Sequence, residues 1–354
     1  MKLYHTIPCL LVIACGDNNS KQTDTASVTD TEDSAIVDTE DTRPPFYATG
    51  EGTAYFLDGL QANSLVTINM NPISIPPEDE LYVVYLLNDQ GLELYAGPMP
   101  VSNTTISWQS ELNTNALLQG YNRLQIRFMS DNRIIYSGSI DPVVYNTYSQ
   151  LIVSSPDTAS GEGSLREIQH TLQAIYAHQE SLINLSGDLT AVYNGAEAMV
   201  NSVFGSNVDY NGDGTVERIN GVSTLIGENL ANTQDTSNLR NLVLRDLASA
   251  SAAAHQIAPT HHIKDLANYA YDCTQLVGTY VQEAADITDN IAAKLVTDEV
   301  GMDARLTESN QYISYAINGF DTNEDGAIDD FTEGTINCAI YYVSQMAYMD
   351  LEVE

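Results

Sequence analysis

Two short strings of oxygen-bearing side chains are the residues of this chain best suited to chemistry. The first runs from Asp209 to Glu217 and reads DYNGDGTVE, and the second runs from Asp321 to Asp329 and reads DTNEDGAID. Both fit the pattern D-x-N-x-D-G-x-(aliphatic)-[D/E]. Carboxylate and amide oxygens at positions 1, 3 and 5, followed by a glycine that permits a sharp turn, suit calcium, which takes about six to eight oxygen ligands.

The pattern matches the first nine positions of an EF-hand-type loop, which predicts a role for each position. Side-chain oxygens at positions 1, 3, 5 and 9 and the main-chain carbonyl at position 7 should bind the ion, while the aliphatic residue at position 8 packs inward. The predicted ligands are Asp209, Asn211, Asp213, Thr215 and Glu217 in loop 1 (209–220), and Asp321, Asn323, Asp325, Ala327 and Asp329 in loop 2 (321–332).

Position 12 departs from the EF-hand pattern, which places a bidentate glutamate there. Loop 1 has Asn220 and loop 2 has Thr332 at this position, with Glu333 one residue late and Asp330 or Glu228 as further substitutes. Because a bidentate carboxylate closes the site, its loss predicts weak affinity, with a Kd on the order of 10⁻⁴–10⁻³ M. The competing interpretation is a pair of acidic turns that hold no ion, since Asn, Asp and Gly also favour turns.

Composition limits the partners that the protein can have. The 354 residues carry 48 Asp and Glu against 13 Lys and Arg, a formal net charge of −35. Such a surface repels phosphate, so nucleic acid and anionic membrane surfaces are excluded as partners, whereas cations are favoured. The hydrophobic content of 43% is enough to fill a core.

The N-terminus, MKLYHTIPCLLVIAC, has one early cation and a short apolar run. It resembles a bacterial lipoprotein signal, which implies cleavage after Ala14 and lipid attachment to Cys15; an ordinary cleaved signal is the alternative. Residues 16–45 are rich in Thr, Ser, Asp and Glu, which predicts a disordered acidic tether more than a calcium-binding segment. We therefore expect an exported protein of the bacterial cell envelope, at the outer membrane or cell surface. Its contact with membrane would be through lipid alone, and an envelope protein or polysaccharide is the open partner class.

Two cysteines remain after the signal and the lipidation site, namely Cys273 and Cys338. In an exported protein such a pair predicts a disulfide bond, and two buried free thiols are the alternative.

Hydrophobic periodicity predicts an α+β protein of two domains. Residues 46–157 contain short alternating segments with turns every 8–12 residues, which predict an antiparallel β-sandwich. From residue 160 to 354 the period changes to that of helices, which predicts an all-α bundle carrying the two calcium-type loops. The predicted helices begin near 164, 189, 237, 260, 303 and 333, and the last of them runs to about 350.

Two segments resemble known families. Residues 81–108 and 124–140 resemble the extracytoplasmic β domain of anti-sigma-K-type factors, which implies a sandwich fold. The chain shows neither a sigma-binding domain nor a transmembrane helix, so sigma-factor sequestration does not carry over.

The helical half resembles an uncharacterised family of bacterial exported proteins. The matching elements are an A-E-x-x-V-N helix, here from Ala196 to Asn201, a first D-x-[DN]-x-D-G loop, and a second loop preceded by Ala316-Ile317-Asn318-Gly319. Members often carry histidines beside the first element, where this chain has Asn194 and Ala198. The resemblance implies no activity.

No catalytic signature accompanies these loops, since G-x-S-x-G and H-E-x-x-H are both absent. The histidines at 170, 178, 255, 261 and 262 fit solvated or core positions. We therefore expect a non-enzymatic calcium-binding lipoprotein with a binding or structural role. The alternative is a redox protein or enzyme that holds haem or a di-metal centre inside the helical bundle.

Overall fold

The strands belong to one antiparallel sheet in the computed structural model. The structure describes residues 46–57, 65–114, 116–117, 119–185, 187–227, 231–257, 263–328 and 333–354, without the side chains of 254–257. The sheet order is β4-β3-β6-β7-β8-β1-β2-β5. The strands are β1 (Gly50–Leu57), β2 (Leu65–Ile73), β3 (Tyr82–Asn88), β4 (Glu93–Met99), β5 (Ile106–Glu111), β6 (Tyr121–Phe128), β7 (Ile134–Ser139) and β8 (Tyr348–Val353).

The predicted β-sandwich is wrong, because the sheet is single and curls until its edge strands β4 and β5 come together. Trp108 Nε1 donates to the carbonyl of Pro98 at 3.1 Å, and Ser110 Oγ donates to the carbonyl of Ala96 at 2.5 Å. Alternation tells which side chains of a strand face the core. It does not tell whether the opposite wall of that core belongs to a second sheet or to the same one.

The chain's last strand corrects a second expectation. The predicted final helix, 333–350, ends at Gln345, and β8 then inserts between β7 and β1. Met349 and Leu351 are buried while Asp350 and Glu352 are exposed, which is the two-residue period of a strand. The segment after residue 160 is therefore not all-α, and the sheet contains segments from both ends of residues 46–354.

The helices predicted from residue 164 to 318 agree with the structure to within a few residues, whereas residues 142–153, predicted as part of the sandwich, are helical. The helices are α1 (Pro142–Tyr148), α2 (Ser164–Ile183), α3 (Leu189–Phe204), α4 (Leu239–Ile257), α5 (Ile263–Ala292), α6 (Glu299–Asn318) and α7 (Ile336–Gln345), and a π-helical turn covers Ser149–Val153. None of the helices in the described ranges has the length and hydropathy needed to cross a membrane.

Sheet and helices share one hydrophobic core. Ile68 and Phe128 from the strands belong to the same buried cluster as Leu172 of α2 and Val343 of α7. A second, smaller cluster fills the end of the helical layer where α2 passes into α3 and α5 passes into α6, and includes Leu182. Residues 46–354 accordingly form one compact unit.

A disulfide joins the last helix to the longest one. Cys273 of α5 and Cys338 of α7 are bonded, with 6.2 Å between their Cα atoms. Cys273 is fully buried and Cys338 nearly so. The bond lies close to the start of α7, a few residues after loop 2.

Candidate calcium loops

Each candidate loop follows the end of a helix at a glycine with positive φ. Loop 1 comes after α3, whose C-terminal cap is Gly205 (φ 72°). Loop 2 comes after α6, whose C-terminal cap is Gly319 (φ 90°). Gly319 is also required for space, because a Cβ at this position would lie 2.8 Å from the carbonyl oxygen of Glu333. Both glycines turn the chain sharply at the end of the helix, shortly before the loop begins.

The two loops share one hydrogen-bond pattern. The position-1 aspartate accepts the N–H of the position-6 glycine, at 2.9 Å between Asp209 and Gly214 and at 2.8 Å between Asp321 and Gly326. The position-5 N–H points at the side-chain oxygens of positions 1 and 3, at 3.2 and 2.9 Å in both loops. The position-5 carboxylate accepts the position-7 N–H at 2.8 and 2.9 Å. Four equivalent bonds gather the oxygens of positions 1, 3 and 5.

The backbone torsions match as well. Positions 4 and 6 have positive φ in both loops, with 72° and 93° at Gly212 and Gly214, and 59° and 86° at Glu324 and Gly326. Glu324 is one of three non-glycine residues with positive φ in the described chain. A non-glycine residue stays at positive φ only when the surrounding hydrogen bonds require it. Loop 2 therefore adopts the conformation of loop 1 even though Glu324, and not glycine, is at position 4.

A buried glutamate holds loop 1 against α3. The side chain of Glu197 is fully buried, and its two oxygens accept the N–H groups of Asn211 at 3.1 Å and Glu217 at 3.2 Å. Burial raises the pKa of Glu197, and the neighbouring carboxylate of Glu217 raises it further. Positions 3 and 9 of the loop are therefore attached to one helical side chain.

Asn201, one helical turn after Glu197, secures the two ends of the same loop. Its amide nitrogen donates to the carbonyls of Val208 at 2.9 Å and Glu217 at 3.1 Å, and its Oδ1 accepts the N–H of Val208 at 3.1 Å. Residues four apart on a helix share a face, so both side chains meet the loop. The A-E-x-x-V-N element thus positions loop 1, a role that its sequence alone did not indicate.

Loop 2 is held by the glutamate that follows it. Glu333 is fully buried, and its Oε1 accepts the N–H groups of Thr322 at 2.5 Å and Asn323 at 2.9 Å. The same oxygen accepts the hydroxyl of Thr322 at 2.6 Å, so Glu333 is bonded to positions 2 and 3 of the loop.

The predicted ligands of loop 1 lie close together at positions 5 to 9. The Thr215 hydroxyl lies 2.5 Å from Asp213 Oδ1 and 2.6 Å from Glu217 Oε1. Glu217 Oε2 is buried and has no hydrogen-bond partner among the described residues. The carboxyl of Glu197, whose raised pKa reflects in part a side-chain hydrogen bond with Glu217, lies beside it, so either a proton on Glu197 or a bound cation would offset the charge here. Thr215 also lowers the pKa of Asp213, chiefly through its hydroxyl.

Three features differ from the predicted site. Val216 and Ile328, at position 8, do not pack inward, because they are 46% and 44% exposed. Asp329, Asp330, Thr332 and Glu228 lie outside the described residues, so loop 2 is characterised from Asp321 to Ile328. Within the described ranges, no three His, Cys, Asp or Glu side chains converge as a ready-made metal group.

The loops are separate rather than paired. Loop 1 is contacted by Lys294, which lies between α5 and α6, and loop 2 follows the opposite end of α6. With 20 residues, α6 is about 30 Å long. Each loop must therefore bind an ion without help from the other.

The described histidines have ordinary partners. His170 Nδ1 is 2.7 Å from a carboxylate oxygen of Glu162, and His178 Nε2 is 2.9 Å from the carbonyl of Gly195. The side chains of His255, His261 and His262 are outside the described part, as are Cys15 and the tether at 16–45.

No protein-family model, curated protein or solved structure matches this chain.

Proposed function

We propose that this protein binds calcium through loops 1 and 2, and that the ions stabilise its helical layer at the cell envelope. The observation that carries the proposal is the shared pattern of four hydrogen bonds, which orients the oxygens of positions 1, 3 and 5 in both loops. The unpartnered buried oxygen of Glu217 supports it for loop 1. Calcium would supply positive charge between carboxylates that otherwise repel one another.

The residues that would hold the ion are those of positions 1, 3, 5, 7 and 9. Neither loop has a position-12 carboxylate, and each has a buried glutamate bonded to its backbone instead. A site without the closing ligand should bind with a Kd on the order of 10⁻⁴–10⁻³ M, which suits the calcium concentrations found outside cells. The proposed role is structural, because each loop follows a helix of the core and is bonded to a buried glutamate.

Calorimetric titration of the whole chain tests this function directly. We expect two calcium ions per chain for the natural sequence, and one for each of the variants Asp213→Ala and Asp325→Ala, which remove the position-5 ligand. Asp272→Ala, at an exposed position of α5, is the matched control and should still bind two. Absence of calcium binding in the natural sequence would refute the proposal.

We also propose a lipid anchor at Cys15, which would place the protein in the envelope where such calcium is available. The motif Val12-Ile13-Ala14-Cys15 supports it. Cys15→Ser should abolish lipidation and release the protein from membranes, whereas Cys9→Ser, within the same apolar run, should leave the mature mass unchanged. Membrane retention with the natural mature mass in Cys15→Ser would contradict the anchor.

A further inference from the structure

Lys294 contacts loop 1 from outside the loop, whereas Arg218, within the loop, donates to the carbonyl of Asn201 in α3 at 2.8 Å. The Nζ of Lys294 donates to the main-chain carbonyl of Asn211 at 2.5 Å and lies 5.6 Å from the ring centroid of Tyr193. Lys294 itself has a φ of 55°, so its backbone is in the left-handed region just after α5. The ring, the carbonyl and this backbone together direct the ammonium toward the loop.

The position of this contact matters because Asn211 lies between two predicted ligands, Asp209 and Asp213. The chain has only four lysines and a net charge of −35, so few ammonium groups are available to neutralise its acidic loops. An ammonium at this place offsets the repulsion among the carboxylates when no calcium is bound. It equally repels a divalent cation that enters the same loop.

Loop 2 differs in this respect. Over its described residues, 321–328, no lysine or arginine forms a hydrogen bond or ion pair with it. Both loops are bonded to a buried glutamate, Glu197 in loop 1 and Glu333 in loop 2, and loop 1 has in addition the ammonium of Lys294.

We propose that Lys294 is a built-in counter-ion that makes loop 1 the weaker of the two calcium sites. The inference rests on the proposed calcium function and adds a rank order to it. Loop 2 fills first as calcium rises, and loop 1 responds at a higher concentration. A protein with two such separated sites responds to calcium over a wider range than one with two equal sites.

The test uses the whole chain with loop 2 silenced by Asp325→Ala, so that titration calorimetry reads loop 1 alone. In this background Lys294→Gln removes the charge and keeps an amide donor for the Asn211 carbonyl, and Lys294→Met removes both. We expect both variants to bind calcium roughly tenfold more tightly, because the repulsion of a unit charge near a divalent ion is lost. Lys264→Met, at the exposed start of α5, is the control and should leave the affinity unchanged.

The outcomes separate the inference from the function on which it rests. Tighter binding in both Lys294 variants supports the counter-ion, together with a Kd of loop 1 above the Kd of loop 2 measured in Asp213→Ala. Calcium binding with an unchanged or weaker affinity in Lys294→Gln refutes the counter-ion and leaves the calcium function standing. No calcium binding by the natural sequence refutes both.

Discussion

Glu197 Oε2 accepts the backbone N–H of Asn211 at 3.1 Å, and this bond attaches position 3 of loop 1 to helix α3. Its other oxygen holds position 9 through the N–H of Glu217. One buried carboxylate thus links positions 3 and 9 of the loop, so the shape of the loop depends on a helical residue 12 positions before its first aspartate.

Glu197→Gln should destabilise the protein. The amide has one acceptor oxygen, whereas the N–H groups of Asn211 and Glu217 are bonded to two separate carboxylate oxygens. Leaving one buried donor without a partner costs about 1–3 kcal/mol. For a unit of this size the melting temperature should fall by about 2–5 °C. Glu180→Gln, at an exposed position of α2, should change it by less than about 1 °C. Equal melting temperatures for both variants would contradict the role of Glu197.

The disulfide between Cys273 and Cys338 should be the largest single covalent contribution to stability. It closes a loop of 65 residues, which constrains the unfolded chain by about 4 kcal/mol in the entropy description. The double variant Cys273→Ala, Cys338→Ala should therefore melt about 6 °C lower. Mass spectrometry of the native exported protein should find neither thiol open to alkylation without reductant. Two alkylated thiols would contradict the bond.

Acid should weaken the ion pair between Glu93 of β4 and Arg127 of β6. Arg127 Nη2 lies 2.6 Å from Glu93 Oε1, with side-chain exposures of 6% for the arginine and 43% for the glutamate. The hydrogen bond from Arg127 lowers the pKa of Glu93. A lowered folded-state pKa stabilises the fold above the ordinary glutamate value, and this stabilisation is lost as pH falls through the folded-state pKa.

Glu93→Gln should consequently cost about 1 kcal/mol at pH 7, a value discounted for the solvent that reaches the glutamate. The difference from the natural sequence should shrink below about pH 4. Urea unfolding across this range measures it, with Glu78→Gln, in the exposed turn before β3, as the control. A difference that stays constant with pH would show that the pair's charge is not involved.

Removal of β8 should open the sheet. β8 pairs with β1 through Tyr55–Tyr348 and its neighbours, and with β7 through Tyr136–Val353. A chain that ends at Ala347 exposes two central strand edges and loses the buried Met349 and Leu351, so we expect no cooperative thermal transition. Val353→Ala, at the partly exposed end of the strand, should melt normally. A cooperative transition in the truncated chain would mean that the sheet is stable without its C-terminal strand.

The helices and loops were predictable because their signals are local. Apolar residues at helical spacing identified α2 to α6, and D-x-N-x-D-G determines turns through short-range bonds between side chain and backbone. The role of Glu197 and Asn201 was not predictable in the same way. Both are polar residues on the buried face of α3, which indicates a buried contact. The partner of that contact is loop 1, and the sequence does not show that the chain folds back against α3 at this point.

The sheet could be predicted strand by strand but not as a whole. The alternation of Met349 and Leu351 with Asp350 and Glu352 was present in the sequence. This segment directly follows an apolar helix, so the prediction of the last helix, 333–350, included its first residues. Pairing between residues almost 300 positions apart, as in Thr53–Asp350, leaves no trace in local periodicity. For this reason local periodicity places the sheet in the N-terminal segment alone.

The whole-chain melting temperature with and without calcium tests the central claim most directly. Residues 46–354 share one core, so the entire unit should respond as one transition rather than the helical layer alone. Calcium at ~10 mM over a site of ~0.1 mM adds about 2.7 kcal/mol, and each filled loop should raise the melting temperature by about 4 °C. Magnesium should do much less, because it demands tighter octahedral geometry. Differential scanning calorimetry in chelator, then calcium, then magnesium should therefore give one raised transition in calcium alone, and Asp213→Ala or Asp325→Ala should reduce the increase. Superimposable transitions in chelator and calcium would show that loops 1 and 2 are acidic turns without an ion.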